Sequence, residues 1–392
     1  MDIMPTVKII EKEIIQLRRH IHQNPELSFQ EFKTAQLIED YLRKLPSFKV
    51  IRLGKTGVIG ILKGKLSAPK KTLALRADID ALPIQEKTSL PFSSKNEGVM
   101  HGCGHDIHTS ILLGTAKILS NLADKFSGTV KFIFQPGEEK AAGAQQLIKL
   151  GVLLNPDVDA IIALHCWPEI PAGTVGVKRG TMLAATDLLN LKIIGESGHA
   201  AHPNDCVDPI YISSQIVIAI QEIISRELSP NESAVISFGQ INGGTASNII
   251  PGEVVLSGTV RTLNLTTRNS MPERIKRISD SIAKAFRGKA RVEYFFTCSP
   301  IIPDESLIKN MEKAVKQTIG KDNLIYLKNP SMGSDDFSHY LDRVPGLFFR
   351  VGTQNAKEPF YPLHSPYFNA DEKSIGTGIS VMVATVIEYF LS

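Results

Sequence analysis

The chain has 392 residues, of which 43% are hydrophobic and 21% charged, with a formal net charge of +4; that length exceeds one ordinary core and calls for two domains or one domain with a large insertion. The composition is that of a globular chain, and no apolar run reaches the length of a membrane span. Cations come in pairs such as Arg18-Arg19 rather than in the stripe that nucleic acid requires, and four scattered cysteines, Cys103, Cys166, Cys206 and Cys298, make no disulfide framework.

At the N-terminus, Val7, Ile10, Ile14, Leu17 and Ile21 recur at helical spacing, so an amphipathic helix closed by Asn24-Pro25 is expected, with a packing role. The same segment lacks the basic start, apolar block and cleavage site of a secretory signal, which gives a cytoplasmic location as the expectation. Near-continuous apolar runs at 72–83, 129–139, 160–169 and 346–352 suit strands covered on both faces, with helical patterns at 106–122 and 141–150 as crossovers. A largely parallel α/β sheet follows, and its ligands belong beyond the C-terminal strand ends, where Asp78, Asp80, Glu138, Glu139 and His165 fall. From 183 to 296 the pattern becomes β-α-β-β-α-β, the order of a ferredoxin-like α+β domain. The predicted organisation is therefore a discontinuous metal-binding catalytic domain, 1–182 plus 297–392, with an inserted lid or dimerisation domain at 183–296.

The chemistry concentrates in "HGCGHDIHTS" (101–110), where glycines flank Cys103 and His105 so that thiolate and imidazole are free to face one ion. Alone this pair is a weak signal. Glu138 and Glu139 follow a Pro-Gly turn, and as strand neighbours they would point to opposite faces, one towards a metal and one towards the attacking water; helix N-terminal acids are the plainer alternative. His165 and His364 complete a set of five candidate ligands, enough for two cations with three protein ligands each if one residue bridges.

The motifs "RRHIHQNPELSFQE" (18–31), "RADIDALP" (76–83), "MHGCGHDIHTS" (100–110), "QPGEE" (135–139), "GHAAHP" (198–203), "GGTASNIIP" (243–251) and "GSDDFS" (333–338) run through the chain in order. In this it resembles the dinuclear metallo-amidohydrolases that include hippurate hydrolase, N-acyl-amino-acid amidohydrolase, N-acetyl-diaminopimelate deacetylase and the auxin-conjugate hydrolases, relatives of carboxypeptidase G and aminoacylase. The resemblance implies that Cys103, His105, Glu139, His165 and His364 hold two divalent ions (Zn, Mn or Co), that Glu138 is the general base, and that His199 steadies the tetrahedral intermediate. It further implies that Asn248 and Arg261 bind substrate polar groups. Three departures stand out: Arg76 occupies the His position of the wider superfamily's His-x-Asp, Asn204 stands where many relatives have His after the Pro, and Asp335 stands where Glu is usual.

The expected activity is metal-dependent hydrolysis of the amide bond of N-acyl amino acids or short peptides, by a metal-bridged hydroxide with Glu138 as base. Asp78 is expected to fix a ligand imidazole by accepting its second N–H. The alternatives are dipeptidase or carboxypeptidase activity on the same site and, further off, a metal-independent Cys/His hydrolase. The expected partners are the small substrate and, through the inserted domain, a second copy in a homodimer or higher homo-oligomer, with neither nucleic acid nor membrane.

Overall fold

The computed structural model describes residues 3–67, 71–357 and 359–391, so the predicted outer bounds at 1 and 392 lie outside the described residues. In chain order the elements are α1 (Met4–Gln23), α2 (Phe32–Arg43), β1 (Phe48–Leu53), β2 (Gly57–Lys63), β3 (Thr72–Asp78), α3 (His105–Asn121), β4 (Thr129–Gln135), α4 (Gly143–Lys149), β5 (Ala160–Pro171) and β6 (Val175–Val177). There follow β7 (Ala185–Ile194), β8 (Gly198–His199), α5 (Pro209–Glu222), β9 (Ala234–Gly243), β10 (Ile249–Ile250), β11 (Glu253–Thr262), α6 (Leu265–Ala285) and β12 (Lys289–Cys298). The chain ends with α7 (Glu305–Thr318), β13 (Leu324–Tyr326), α8 (Ser338–Leu341), β14 (Gly346–Gln354) and α9 (Lys373–Leu391). Contacts divide them into two units, one of Met1–Gly180, Ile302–Asn329 and Asp335–Ser392, the other of Thr181–Ile301 and Pro330–Ser334.

The first unit is built on a sheet of order β1-β2-β4-β3-β5-β14-β6-β13. Its centre, β4-β3-β5-β14, is parallel, while β1-β2, β2-β4 and β14-β6 are antiparallel. Every residue of β3 is buried, as continuous apolar strands covered on both faces require. Helices α1, α3, α7 and α9 pack together, with Ile14, Ile111 and Ile379 wholly inside. Burying each such side chain stabilises the fold by roughly 1.5–3 kcal/mol. At Gly114 the α3 backbone meets α9 so closely that a Cβ would lie 2.4 Å from Ile379 Cδ1.

Two sequence expectations need correction. Helix α9 is long and apolar enough, by length and composition, to cross a membrane, contrary to the reading that no run reaches that length; 78% of its most apolar window is buried in the protein, so its apolarity serves the core. The strand expected over 129–139 ends at Gln135, and Glu138–Lys140 form a tight 3-10 turn, because Gly137 takes a left-handed φ of +66° that breaks the extended run.

In the second unit β7, α5, β9, β11, α6 and β12 follow one another, and the sheet order is β12-β7-β11-β9, antiparallel throughout. Leu189, Leu191 and Ile193 on β7 turn inward, at the two-residue spacing of a strand with one covered face, and share a core with Ile216 of α5 and Ile275 of α6.

Candidate active site

At the centre of the first unit, the Gly-rich stretch before α3 folds tightly over the end of β5. Gly104 has φ +86°, and a Cβ there would fall 2.9 Å from Cys166 Sγ, so only glycine admits this approach. The turn delivers Cys103 and His105 to the C-terminal ends of β3 and β5. Cys103 Sγ lies 3.4 Å from His165 Nε2 and 3.3 Å from His364 Nε2. Backbone carbonyls fix two of the rings: His105 Nδ1 donates to Asp80 O at 2.9 Å and His165 Nδ1 to Cys166 O at 2.7 Å. A carbonyl only accepts, so in each neutral ring the lone pair is on Nε2, facing the cluster. Glu139 Oε1 is 3.8 Å from His105 Nε2 and 3.7 Å from His364 Nε2.

This donor set fits divalent cations. The ligand atoms of Cys103, His105 and His165 lie within 4.8 Å of one another, as do those of Cys103, Glu139 and His364, so Cys103 is common to both sets. His105 Nε2 and Glu139 Oε1 are buried without hydrogen-bond partners. Leaving such atoms unsatisfied costs about 1–3 kcal/mol each, a cost that a bound cation removes.

The two glutamates owe their placement to Asp80, to which the sequence motifs assign no role. Its buried carboxylate accepts the backbone N–H of Glu138 at 3.2 Å and of Glu139 at 3.0 Å, along with the Ser28 hydroxyl at 2.7 Å. Glu31 holds the preceding residue by accepting Gly137 N–H at 3.0 Å. The division of labour between Glu138 and Glu139 therefore arises from a capped turn, not from strand alternation. Glu138 faces Asp335 and Asp336, all three offering oxygens within 4.8 Å. Burial, then Asp335, Glu139 and Asp336, push its carboxyl well above the usual range.

Asp78 is central but not as expected. It accepts His108 Nδ1 at 2.6 Å and Arg76 Nη1 at 2.7 Å, while its Oδ2 stands 3.7 Å from His105 Nε2. The second N–H groups of His105 and His165 go instead to the carbonyls of Asp80, just beyond β3, and Cys166, on β5. Burial works against its charge, but His105, His108 and Arg76 hold its carboxyl far below the usual range. Arg76 contacts three acids: besides Asp78 it reaches Asp336 at 2.9 Å and Asp335 at 3.2 Å. Burial, followed by the Glu139 charge, pushes the Cys103 thiol up, so without a cation it stays protonated.

Helix α1 does more than pack. Arg18 and His22 are buried on the face that carries Ile14 and Ile21, and both reach Asp106 in the first turn of α3, at 2.7 and 2.8 Å. The clue was in the sequence: two polar residues four apart on an apolar helical stripe. His199, Asn248 and Arg261 belong to the second unit. His199 pairs with Ile249, and its exposed ring accepts Ala201 N–H at Nδ1 (3.0 Å), which leaves Nε2 to donate. Asn248 adjoins it through Ala200 N–H donating to Asn248 O at 3.0 Å. Arg261 sits on β11 with a buried, unpartnered Nη1.

Comparison with known proteins agrees with this geometry. A family model described as peptidase family M20/M25/M40 matches residues 74–388. The chain is 41% identical over 371 residues to the N-acetyl-L-cysteine deacetylase of Bacillus subtilis, covering 93% of this chain and 85% of that one. It is 36% identical over 387 residues to thermostable carboxypeptidase 2 of Saccharolobus solfataricus, covering 98% and 97%. A solved Bacillus subtilis structure, described as a dinuclear metal-binding peptidase of the M20 family, superposes with a TM-score of 0.85 at 34% identity, covering 98% of this chain and 99% of the other.

Proposed function

The chain belongs to peptidase family M20/M25/M40, and from that premise we propose that it is a metal-dependent hydrolase of the amide bond in N-acyl amino acids and short peptides. The observation that carries the reading is the convergence of Cys103, His105, Glu139, His165 and His364, with His105 Nε2 and Glu139 Oε1 buried and unpartnered, beside a glutamate whose charge is disfavoured. These five residues would hold two divalent ions. When bound, the cations supply Lewis acidity that polarises the amide carbonyl and acidifies water.

The chain's own residues do the rest. Glu138 takes the proton of the attacking water on a carboxylate oxygen and gives it to the leaving amine; burial, Asp335, Glu139 and Asp336 raise its affinity for the proton it must hold between the two transfers. Asp80 and Glu31 keep the turn in register. His199 Nε2 would donate to the developing oxyanion, and Arg261 would pair with the substrate carboxylate, with Asn248 alongside; the resemblance in "GHAAHP" and "GGTASNIIP" supports these roles. The second unit's β-α-β-β-α-β order with its fourth-first-third-second sheet supports a ferredoxin-like assignment, and a homodimer through this unit is the proposed assembly. A thiolate ligand favours Zn, while carboxylate and imidazole also accept Mn or Co. Four free cysteines fit a reducing, cytoplasmic setting.

A thiol nucleophile needs a depressed pKa, and Cys103 is pushed the other way. The Saccharolobus carboxypeptidase favours peptide substrates as the second reading. The test is hydrolysis of N-acetyl, N-benzoyl and indole-acetyl amino acids and of dipeptides by metal-quantified protein, before EDTA, after it, and after adding back Zn, Mn or Co. Activity that survives EDTA but is lost to iodoacetamide would overturn the metal reading.

A further inference from the structure

Arg350 on β14 is 3% exposed, yet among the described residues no hydrogen bond or ion pair reaches its guanidinium, and Nε is buried without a partner. This contrasts with Arg18, Arg76 and Arg268, the other deeply buried arginines, each held by a carboxylate. Burying an unpaired cation costs several kcal/mol, so such a group is rare unless an anion arrives to meet it. Its surroundings hold it in place without neutralising it. The guanidinium carbon lies 3.8 Å from the centre of the Trp167 ring and 5.3 Å from that of Phe348, so two aromatic faces fix the fork and leave its N–H edge unused.

The location is at the cluster. Arg350 is the parallel-strand partner of His165, so both side chains rise from the same face of adjacent strands. Phe348, two residues before Arg350, has its ring 6.3 Å from that of His165.

Resting on the hydrolase reading above, we infer that Arg350, backed by Trp167, is a carboxylate-binding subsite beside the metal cluster, selecting substrates that carry a second carboxylate near the scissile amide. The planar fork matches a carboxylate through two parallel hydrogen bonds, and the low-polarity aromatic surroundings strengthen them. The carboxylate has two possible sources, the acyl chain of a dicarboxylic half-amide or the side chain of an acidic amino acid.

The experiment compares N-acetyl-L-methionine, N-acetyl-L-glutamate and N-succinyl-L-methionine on metal-loaded parent, Arg350→Gln and Arg350→Lys proteins, with thermal melts to confirm folding. In Arg350→Gln, kcat/KM for a carboxylate-bearing substrate falls about tenfold further than for N-acetyl-L-methionine, mainly through KM, with partial recovery in Arg350→Lys. The N-acetyl-L-glutamate and N-succinyl-L-methionine arms tell which end supplies the group. An equal fall on all three substrates, or no fall, overturns the subsite. Trp167 is the only tryptophan in the chain, so its fluorescence during succinate titration is a separate readout. A saturable change in the parent that Arg350→Gln loses supports the subsite even if none of the amides is hydrolysed, an outcome that would remove the hydrolase reading alone. No change in the parent overturns the subsite.

Discussion

Replacing Asp80 with Asn tests how the glutamate pair is positioned. The carboxylate accepts Glu138 N–H at 3.2 Å through Oδ1, and Glu139 N–H at 3.0 Å and the Ser28 hydroxyl at 2.7 Å through Oδ2. An asparagine keeps one oxygen. In its best orientation it retains the two bonds at Oδ2 and turns an NH₂ group towards Glu138 N–H, a donor facing a donor. One hydrogen bond to a charged acceptor is then lost and a buried amide left unmet, for about 2 kcal/mol. That is about thirtyfold in the equilibrium favouring the capped turn, and cation binding through Glu139 weakens by up to that factor. The backbone carbonyl that fixes His105 is unchanged, although the substitution also removes the charge of Asp80 Oδ1, 3.4 Å from His105 Nδ1. Cation affinity is measured by competition with a chromogenic chelator, and turnover on N-acetyl-L-methionine follows alongside. Ser28→Ala is the control, removing a hydroxyl from the same oxygen without touching the turn. If Asp80→Asn bound metal and turned over within about threefold of the parent, the capping argument would be refuted.

Further expectations follow from other parts of the first unit. Glu138→Gln should retain metal, by elemental analysis, while kcat falls about a hundredfold or more, the usual contribution of a positioned base; a fall under tenfold would remove Glu138 from that role. Arg18→Met breaks a buried pair in which Arg18 and Asp106 are each 1% exposed. Urea unfolding should show a loss of about 3 kcal/mol, near the low end for such pairs because His22 still reaches Asp106. Burial works to raise the Glu86 carboxyl, but His22, Thr88 and the Ser94 N–H outweigh it and hold the group at about 2, below the ordinary 4.5. Between those values the unfolded chain binds more protons than the folded one, so stability rises with pH across that window. The contribution, at most about 3 kcal/mol, is fully present above the unfolded value and lost as pH falls towards the folded one. Glu86→Gln should therefore be less stable than the parent at about pH 7, with the gap narrowing at about pH 3; a gap that does not change with pH would refute the assignment.

The donor residues were legible because their chemistry is local. Two glycines around Cys103, and histidines at strand ends or in a Pro-rich loop, stand out in a chain of only ten histidines. The strand pattern that places His165 at the end of β5 is a run of apolar residues, readable without a structure. At Glu138 the plainer alternative, acids at the start of a helical turn, is the one found; periodicity carries the strand forward until something breaks it, and the break depends on Gly137 taking a left-handed φ. The role of Asp80 was hidden for a different reason: its partners are backbone amides 58 and 59 residues away, and every residue except proline carries the same amide. Arg350 gave no signal, since an arginine in an apolar strand looks like any paired core arginine until its neighbours are known.

What the sequence by itself determined was the inventory: which residues bear thiolate, imidazole and carboxylate, which segments are strands or helices, and that a separate βαββαβ stretch interrupts the chain. Tertiary structure decided the arrangement. Cys103 and His364 are 261 residues apart and end up 3.3 Å from each other, at a distance fixed by the register of parallel strands and by loop closure that no local pattern encodes. Which carboxylates become reluctant to ionise was settled there too, because desolvation and the approach of like charges exist only once distant segments have come together.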